Sequence, residues 1–105
     1  MRMWGVDVKL LCRQHLLGEH LEMHMFAGTL MKGKSIKGYI DKGLVNPFEI
    51  TLRHDLLAEE MISRGYNHQS DLEFSSWGLE LIPIDTEANR KELARRCTEC
   101  KKRGA

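Results

Sequence analysis

Residues 14–22 run Gln14-His15-Leu16-Leu17-Gly18-Glu19-His20-Leu21-Glu22, and the pattern around this stretch decides the fold. Leu10, Leu17, Leu21 and Met25 share one side of a helix, and Cys12, Leu16, Met23, Ala27 and Leu30 share another. A helix that is apolar on several sides is central to its fold. Asp7 is a suitable N-cap, with Val8 and Lys9 opening the helix and Leu30 near its end. Two polar stripes interrupt the apolar surface. One holds His15, Gly18, Glu19 and Glu22, flanked by Gln14; the other holds Arg13, His20 and His24. A carboxylate on a mostly buried helix is costly to desolvate, so the first stripe needs a partner or a task. Gly18 lowers helix stability by roughly 1 kcal/mol relative to alanine, which is tolerable where a backbone or ligand approaches closely.

Downstream, Ile36, Tyr39 and Ile40 have helical spacing, and Gly43 suits a left-handed cap. Pro47 fits the first turn of the next helix, whose apolar face is Ile50, Leu52, Leu56, Leu57, Met61 and Ile62 and whose end is Arg64-Gly65. Residues 67–78 are polar and turn-rich, and residues 79–84 form a short apolar run. Asp85 or Thr86 caps a last helix to about Arg96, and residues 97–105 read as a basic tail. The expectation is an all-α, compact single domain spanning residues 1–105, built around a central N-terminal helix with long loops. Trp4 and Trp77 are expected to pack rather than to stack on bases.

The 105 residues carry a net charge of +1, so overall charge neither favours nor excludes nucleic acid. The distribution says more. Lys32, Lys34, Lys37 and Lys42 cluster, and Arg90, Lys91, Arg95, Arg96, Lys101, Lys102 and Arg103 crowd the C-terminal end. Such clusters form either a phosphate-binding face or a solvated helix surface. Lys32, Lys34, Lys37 and Arg53 are candidates for neutralising phosphates, which would make affinity fall with salt. No stretch has the length and apolarity of a membrane span or of a signal peptide. Three cysteines without framework spacing suit reduced thiols in the cytoplasm.

Two further features carry chemistry. Arg2 is too large for removal of the initiator methionine, so Met1 is expected to stay and to present its α-amine. An α-amine has a pKa of about 7.7–8.0, low enough for a useful neutral, nucleophilic fraction. Glu22 beside such an amine would hold a protonated imine and move protons. Cys97-x-x-Cys100 has the spacing of a zinc site, with two more ligands to come from Cys12 or the histidines. His20 and His24, four apart, are a workable pair, but their stripe includes Arg13 and reads as a solvated face. Unliganded thiols are the plainer expectation, and a redox role lacks the βα context it needs.

Met1-Arg2, Gln14-His15-Leu16, Glu19, Glu22, Gly33-Lys34, and Arg53 onward to Arg64-Gly65-Tyr66-Asn67 together resemble the pyrimidine-dimer DNA glycosylases, the phage endonuclease V family. The resemblance spans about the first two thirds of the chain. It implies a small all-α enzyme of DNA repair that cuts damaged double-stranded DNA as glycosylase and abasic-site lyase. It implies action as a monomer, without metal, cofactor or membrane, in the cytoplasm of a bacterial or phage-infected cell and at its nucleoid. The Met1 amine would attack the anomeric carbon of the damaged nucleotide, and Glu22 would stabilise the resulting Schiff base before β-elimination. Arg2 would contact DNA near the lesion, and Gln14 and His15 would line the same site. Leu21 and Met25 depart from the family, where arginines contact DNA, and the aromatic C-terminal arm has no counterpart. Two other readings stay open: a non-catalytic nucleic-acid-binding domain of this fold, and a small zinc-stabilised interaction domain.

Overall fold

The computed structural model describes residues 1–68 and 70–105. Among them are five α-helices and no strand: α1 (Arg13–Met31), α2 (Lys37–Asp41), α3 (Ile50–Ser63), α4 (Thr86–Arg96) and α5 (Thr98–Lys102). The all-α single domain is as expected, with a radius of gyration of 13.3 Å, close to the ~13 Å of a compact chain of this length. Among the described residues, no helix is long and apolar enough to cross a membrane.

The long helix starts later than the sequence pattern suggests. Asp7 does cap, but what it caps is a short 3-10 turn, Val8–Leu10, by accepting from the Lys9 N–H at 3.0 Å. The chain then turns extended at Leu11, which is wholly buried, and Cys12 becomes the N-cap of α1. The break lets residues 1–11 fold back along α1 instead of prolonging it. Asp85 caps α4 by accepting from Ala88 N–H at 2.9 Å, and Pro47 opens a 3-10 turn that leads into α3. Residues 98–102 of the expected tail are helical, and Cys100 is fully buried.

Helix α1 packs on α3. Leu16, Met23, Phe26 and Ala27 from α1 and Ile50, Leu57 and Met61 from α3 form the centre of the core. Met3, Trp4 and Val6 of the N-terminal segment cover it from one side, and Leu93 and Cys100 join it from α4 and α5. Gly5 has φ +68°, a backbone conformation that favours glycine, and a Cβ there would also press on the tip of Ile84 at 2.9 Å. Leu21 and Met25 of α1 are exposed, as are Leu52, Leu56 and Ile62 of α3, while Leu17 packs on the core and Ile50, Leu57 and Met61 are buried, so each expected apolar side meets solvent only in part. Trp4 is buried as expected, but Trp77 is 88% exposed, standing on a turn between Ser75 and Gly78 that packs nothing against it.

Two polar groups bind the helices together from inside. The buried Glu19 accepts from Arg53 Nε at 2.6 Å and from its terminal nitrogen at 3.0 Å, and also from Trp4 N–H at 3.2 Å. Arg53 completes its fork by donating to Val6 C=O at 2.8 Å. The stripe of His20 and His24 is likewise not a solvated face. His20 and His54 are buried and gather with His24 and His68; nitrogens of His20 and His68 lie 2.9 Å apart, and those of His24 and His54 3.1 Å apart. Burial, then the neighbouring His54, His24 and His68, push His20 down to about 4, and burial with His54 pushes His24 down as well.

Two outcomes follow from this interior. Removing one partner of a buried ion pair strands the other charge, a cost of about 3–5 kcal/mol. Arg53→Ala should therefore lose that much unfolding free energy in urea titration, and Glu19→Met/Arg53→Leu together should recover most of it. Below pH 6.5 the unfolded chain protonates histidines that the fold keeps neutral down to about 4 in the case of His20. Stability should fall as pH drops through that window, by up to ~1.4 kcal/mol per pH unit for each such group. His20→Leu should flatten the dependence of the urea midpoint on pH.

Candidate active site

The N-terminal segment brings the chain's first residues to the carboxylates of α1. Arg2 N–H donates to Glu22 Oε1 at 3.1 Å, Met3 N–H to Leu44 C=O at 2.6 Å, and Trp4 N–H to Glu19. Each successive amide has a partner, so the terminus is tied down along its length. The two glutamates of one helical stripe thus divide: Glu19 is consumed inside the fold, while Glu22 stands at its edge. Its side chain is 27% exposed, and the Met1 α-amino nitrogen lies 3.7 Å from its Oε1. That is an ion-pair distance, longer than a hydrogen bond.

Met1 and Glu22 line a pocket of about 400 Å³ together with Arg2, Trp4, His15 and Leu44, and Arg96 reaches it from α4. The Arg2 guanidinium stacks on Trp4, 3.9 Å from the ring centroid, and donates to Asn89 Oδ1 at 2.6 Å. Asn89 in turn donates to Trp4 C=O at 2.9 Å. Burial, followed by the charge of Arg96, lowers the pKa of Arg2. Its Nε is buried and has no hydrogen-bond partner among the described residues. Two guanidinium groups, of which that of Arg96 is shared with Glu92, an α-amine and a single lining carboxylate give the pocket a cationic excess that suits an anionic ligand.

The proposed site residues are not all brought together. Met1, Arg2, His15 and Glu22 share the pocket. Gln14 is exposed and lines a separate hollow with Arg13, Tyr66 and Arg103. Lys32, Lys34 and Lys37 are exposed on and beyond the end of α1. Lys37 pairs with Asp41 one helical turn on, while Lys32 and Lys34 have no ion pair among the described residues. Lys42 lines a smaller hollow that shares Leu44 with the Met1 pocket. Arg53 is corrected outright: it is 6% exposed and its guanidinium is held by Glu19 and Val6, so it offers no phosphate contact. Gly18 is not explained by close approach of the protein, since a Cβ there would meet nothing within 4 Å.

Trp4, Leu44, Asn89 and Arg96 were missed from the sequence. Arg96 alone carried a signal, as one of the C-terminal basic cluster. Part of that cluster is engaged locally: Glu87 pairs with Arg90, Glu92 with both Arg95 and Arg96, and Glu99 with Lys102. Arg95 and Arg96 together bring Glu92 down to about 2.

No curated protein and no solved structure is matched by the chain. The family model for pyrimidine dimer DNA glycosylases matches residues 1–74. That span holds Met1, Arg2, Trp4, His15, Glu22 and Leu44, and it ends before the helix that supplies Arg96. With well over half its length matched, and with the terminal amine, the arginine and the glutamate gathered in one pocket, the chain belongs to the pyrimidine dimer DNA glycosylases, a family of DNA repair enzymes.

Proposed function

We propose that this protein is a bifunctional glycosylase and abasic-site lyase that uses the Met1 α-amine as nucleophile and Glu22 as its proton-transfer partner. The observation that carries the reading is the 3.7 Å between the Met1 nitrogen and the Glu22 carboxylate, in an otherwise cationic pocket. The neutral amine attacks C1′ of the damaged nucleotide, and the C1′–N bond breaks as the base leaves with its electron pair and takes a proton. The sugar ring opens to a protonated imine, whose positive charge the Glu22 carboxylate faces. Loss of a C2′ proton then expels the 3′ phosphate by β-elimination, and water hydrolyses the imine to free the amine. No step requires a metal. A substrate base must leave the stack to expose C1′, a form of base flipping.

Arg2 and Arg96, which both line the pocket, suit phosphates beside the lesion. Lys32, Lys34 and Lys37 would extend the contact along the duplex, and Lys42 borders the pocket through Leu44. We assign the substrate to pyrimidine dimers or related lesions in double-stranded DNA, acted on by a monomer at the nucleoid. Abasic sites are the substrate that needs fewest contacts. The exposed Leu21 and Met25 supply no charge to the DNA, so dimer recognition would draw on other residues.

Borohydride trapping tests the chemistry. With protein whose N-terminus is verified by mass spectrometry, an abasic or dimer-containing duplex should yield a covalent adduct on Met1. Glu22→Gln should cut strand cleavage by about 10²–10⁴-fold, the usual share of a general acid–base, with an unchanged melting temperature. No adduct and no cleavage on either duplex would leave a non-catalytic DNA-binding domain, and cleavage indifferent to Glu22→Gln would remove Glu22 from the chemistry. For the lysines, Lys32→Ala/Lys34→Ala should reduce the slope of log affinity against log salt by about 2, whatever the DNA sequence.

A further inference from the structure

We infer that Cys12, His15, Cys97 and Cys100 form a structural zinc site that clasps the C-terminal helix to the start of α1. Nothing in the glycosylase chemistry uses these thiols, and the inference stands independently of that reading. The four ligand atoms lie within 4.8 Å of one another. Cys12 Sγ is 3.3 Å from His15 Nδ1 and 3.8 Å from Cys97 Sγ, and Cys100 Sγ is 3.6 Å from His15 Nδ1. A tetrahedral zinc with bonds of about 2.3 Å to sulfur and about 2.0–2.1 Å to nitrogen has S···S edges of about 3.8 Å and S···N edges of about 3.5 Å. The three distances fall on those edges. Three thiols and an imidazole are also the donor set that selects zinc among common cations.

The backbone is arranged for thiolates. Cys12 N–H points at Cys100 Sγ at 3.2 Å, Cys100 N–H at Cys97 Sγ at 3.4 Å, and His15 N–H at Cys12 Sγ at 3.5 Å. Such N–H···S contacts steady charged ligands in a metal's outer shell. The two ligand pairs have the same spacing, Cys12-x-x-His15 and Cys97-x-x-Cys100, and each begins at the N-cap of a helix. All four positions are filled by protein, which makes the site structural rather than catalytic. The histidine cluster is the weaker candidate. Its ring nitrogens already meet in pairs at 2.9 and 3.1 Å, the distance of N–H···N hydrogen bonds. A metal on His15 Nδ1 would also hold the ring that walls the Met1 pocket, so the clasp would set one face of that pocket.

Elemental analysis of reduced, purified protein should find stoichiometric zinc. After chelation, Co²⁺ should bind in equimolar amount with thiolate-to-cobalt charge-transfer absorption and the strong visible bands of a tetrahedral site. Cys97→Ser and Cys100→Ser should each weaken Co²⁺ binding by more than about 100-fold, while His54→Ala should leave the spectrum intact. Should the serine variants fail to fold, the parent protein still decides: Zn²⁺ should protect three thiols from alkylation. The inference is overturned if folded, reduced protein takes up no Zn²⁺ or Co²⁺, if binding is lost with His54→Ala but kept with Cys97→Ser, or if Zn²⁺ leaves the thiols freely alkylated.

Discussion

The bidentate pair of Glu19 and Arg53 is the constraint on which the rest of the structure hangs. It joins α1 to α3 in the interior, and both partners also reach the N-terminal segment, Glu19 through Trp4 N–H and Arg53 through Val6 C=O. A buried ion pair is seldom a large net source of stability against an apolar alternative. Its value here is geometric. Four hydrogen bonds fix where residues 4 to 6 cross the helix, and so where residues 1 and 2 must lie.

That placement turns a helical stripe into a pocket. Glu19 and Glu22 are one turn-neighbour apart on α1, with the same chemistry and opposite environments. The segment that buries the first carboxylate delivers an α-amine to the second. Arg2 is wedged between Trp4, Asn89 and the pocket, so its charge is presented rather than dispersed in solvent. Helix α4, beyond the span that matches the family, contributes Arg96 to the same pocket and the buried Asn89 that holds Arg2 behind it. The C-terminal third is therefore part of the site's construction. The cysteines at the α4–α5 junction and at the head of α1 close the loop between the two ends of the chain.

The interior also explains which charges are free to act. The C-terminal arginines look like a phosphate-binding patch in sequence, yet Arg90 pairs with Glu87, and Arg95 and Arg96 share Glu92, the ordinary pairing on a helix surface. Lys32 and Lys34, outside any helix, have no such neighbours. Arg53 reads as one more surface base because nothing local to α3 distinguishes it. Its partner is 34 residues away in the chain.

The sequence by itself determined the all-α class, a helix start at Asp85 or Thr86 and a helix end at Gly65, and the central role of the helix holding Gln14 to Glu22. These are local or periodic properties, set by spacing, turn chemistry and side-chain type over a few residues. Tertiary structure decided the rest. It chose which glutamate is spent in the core, withdrew Arg53 from the surface, moved Gln14 out of the pocket, and gathered Cys12 and His15 with Cys97 and Cys100. It also turned an apparently solvated histidine stripe inward. Each of those outcomes depends on a partner distant in the chain, and burial gives a polar side chain its role only once that partner is beside it.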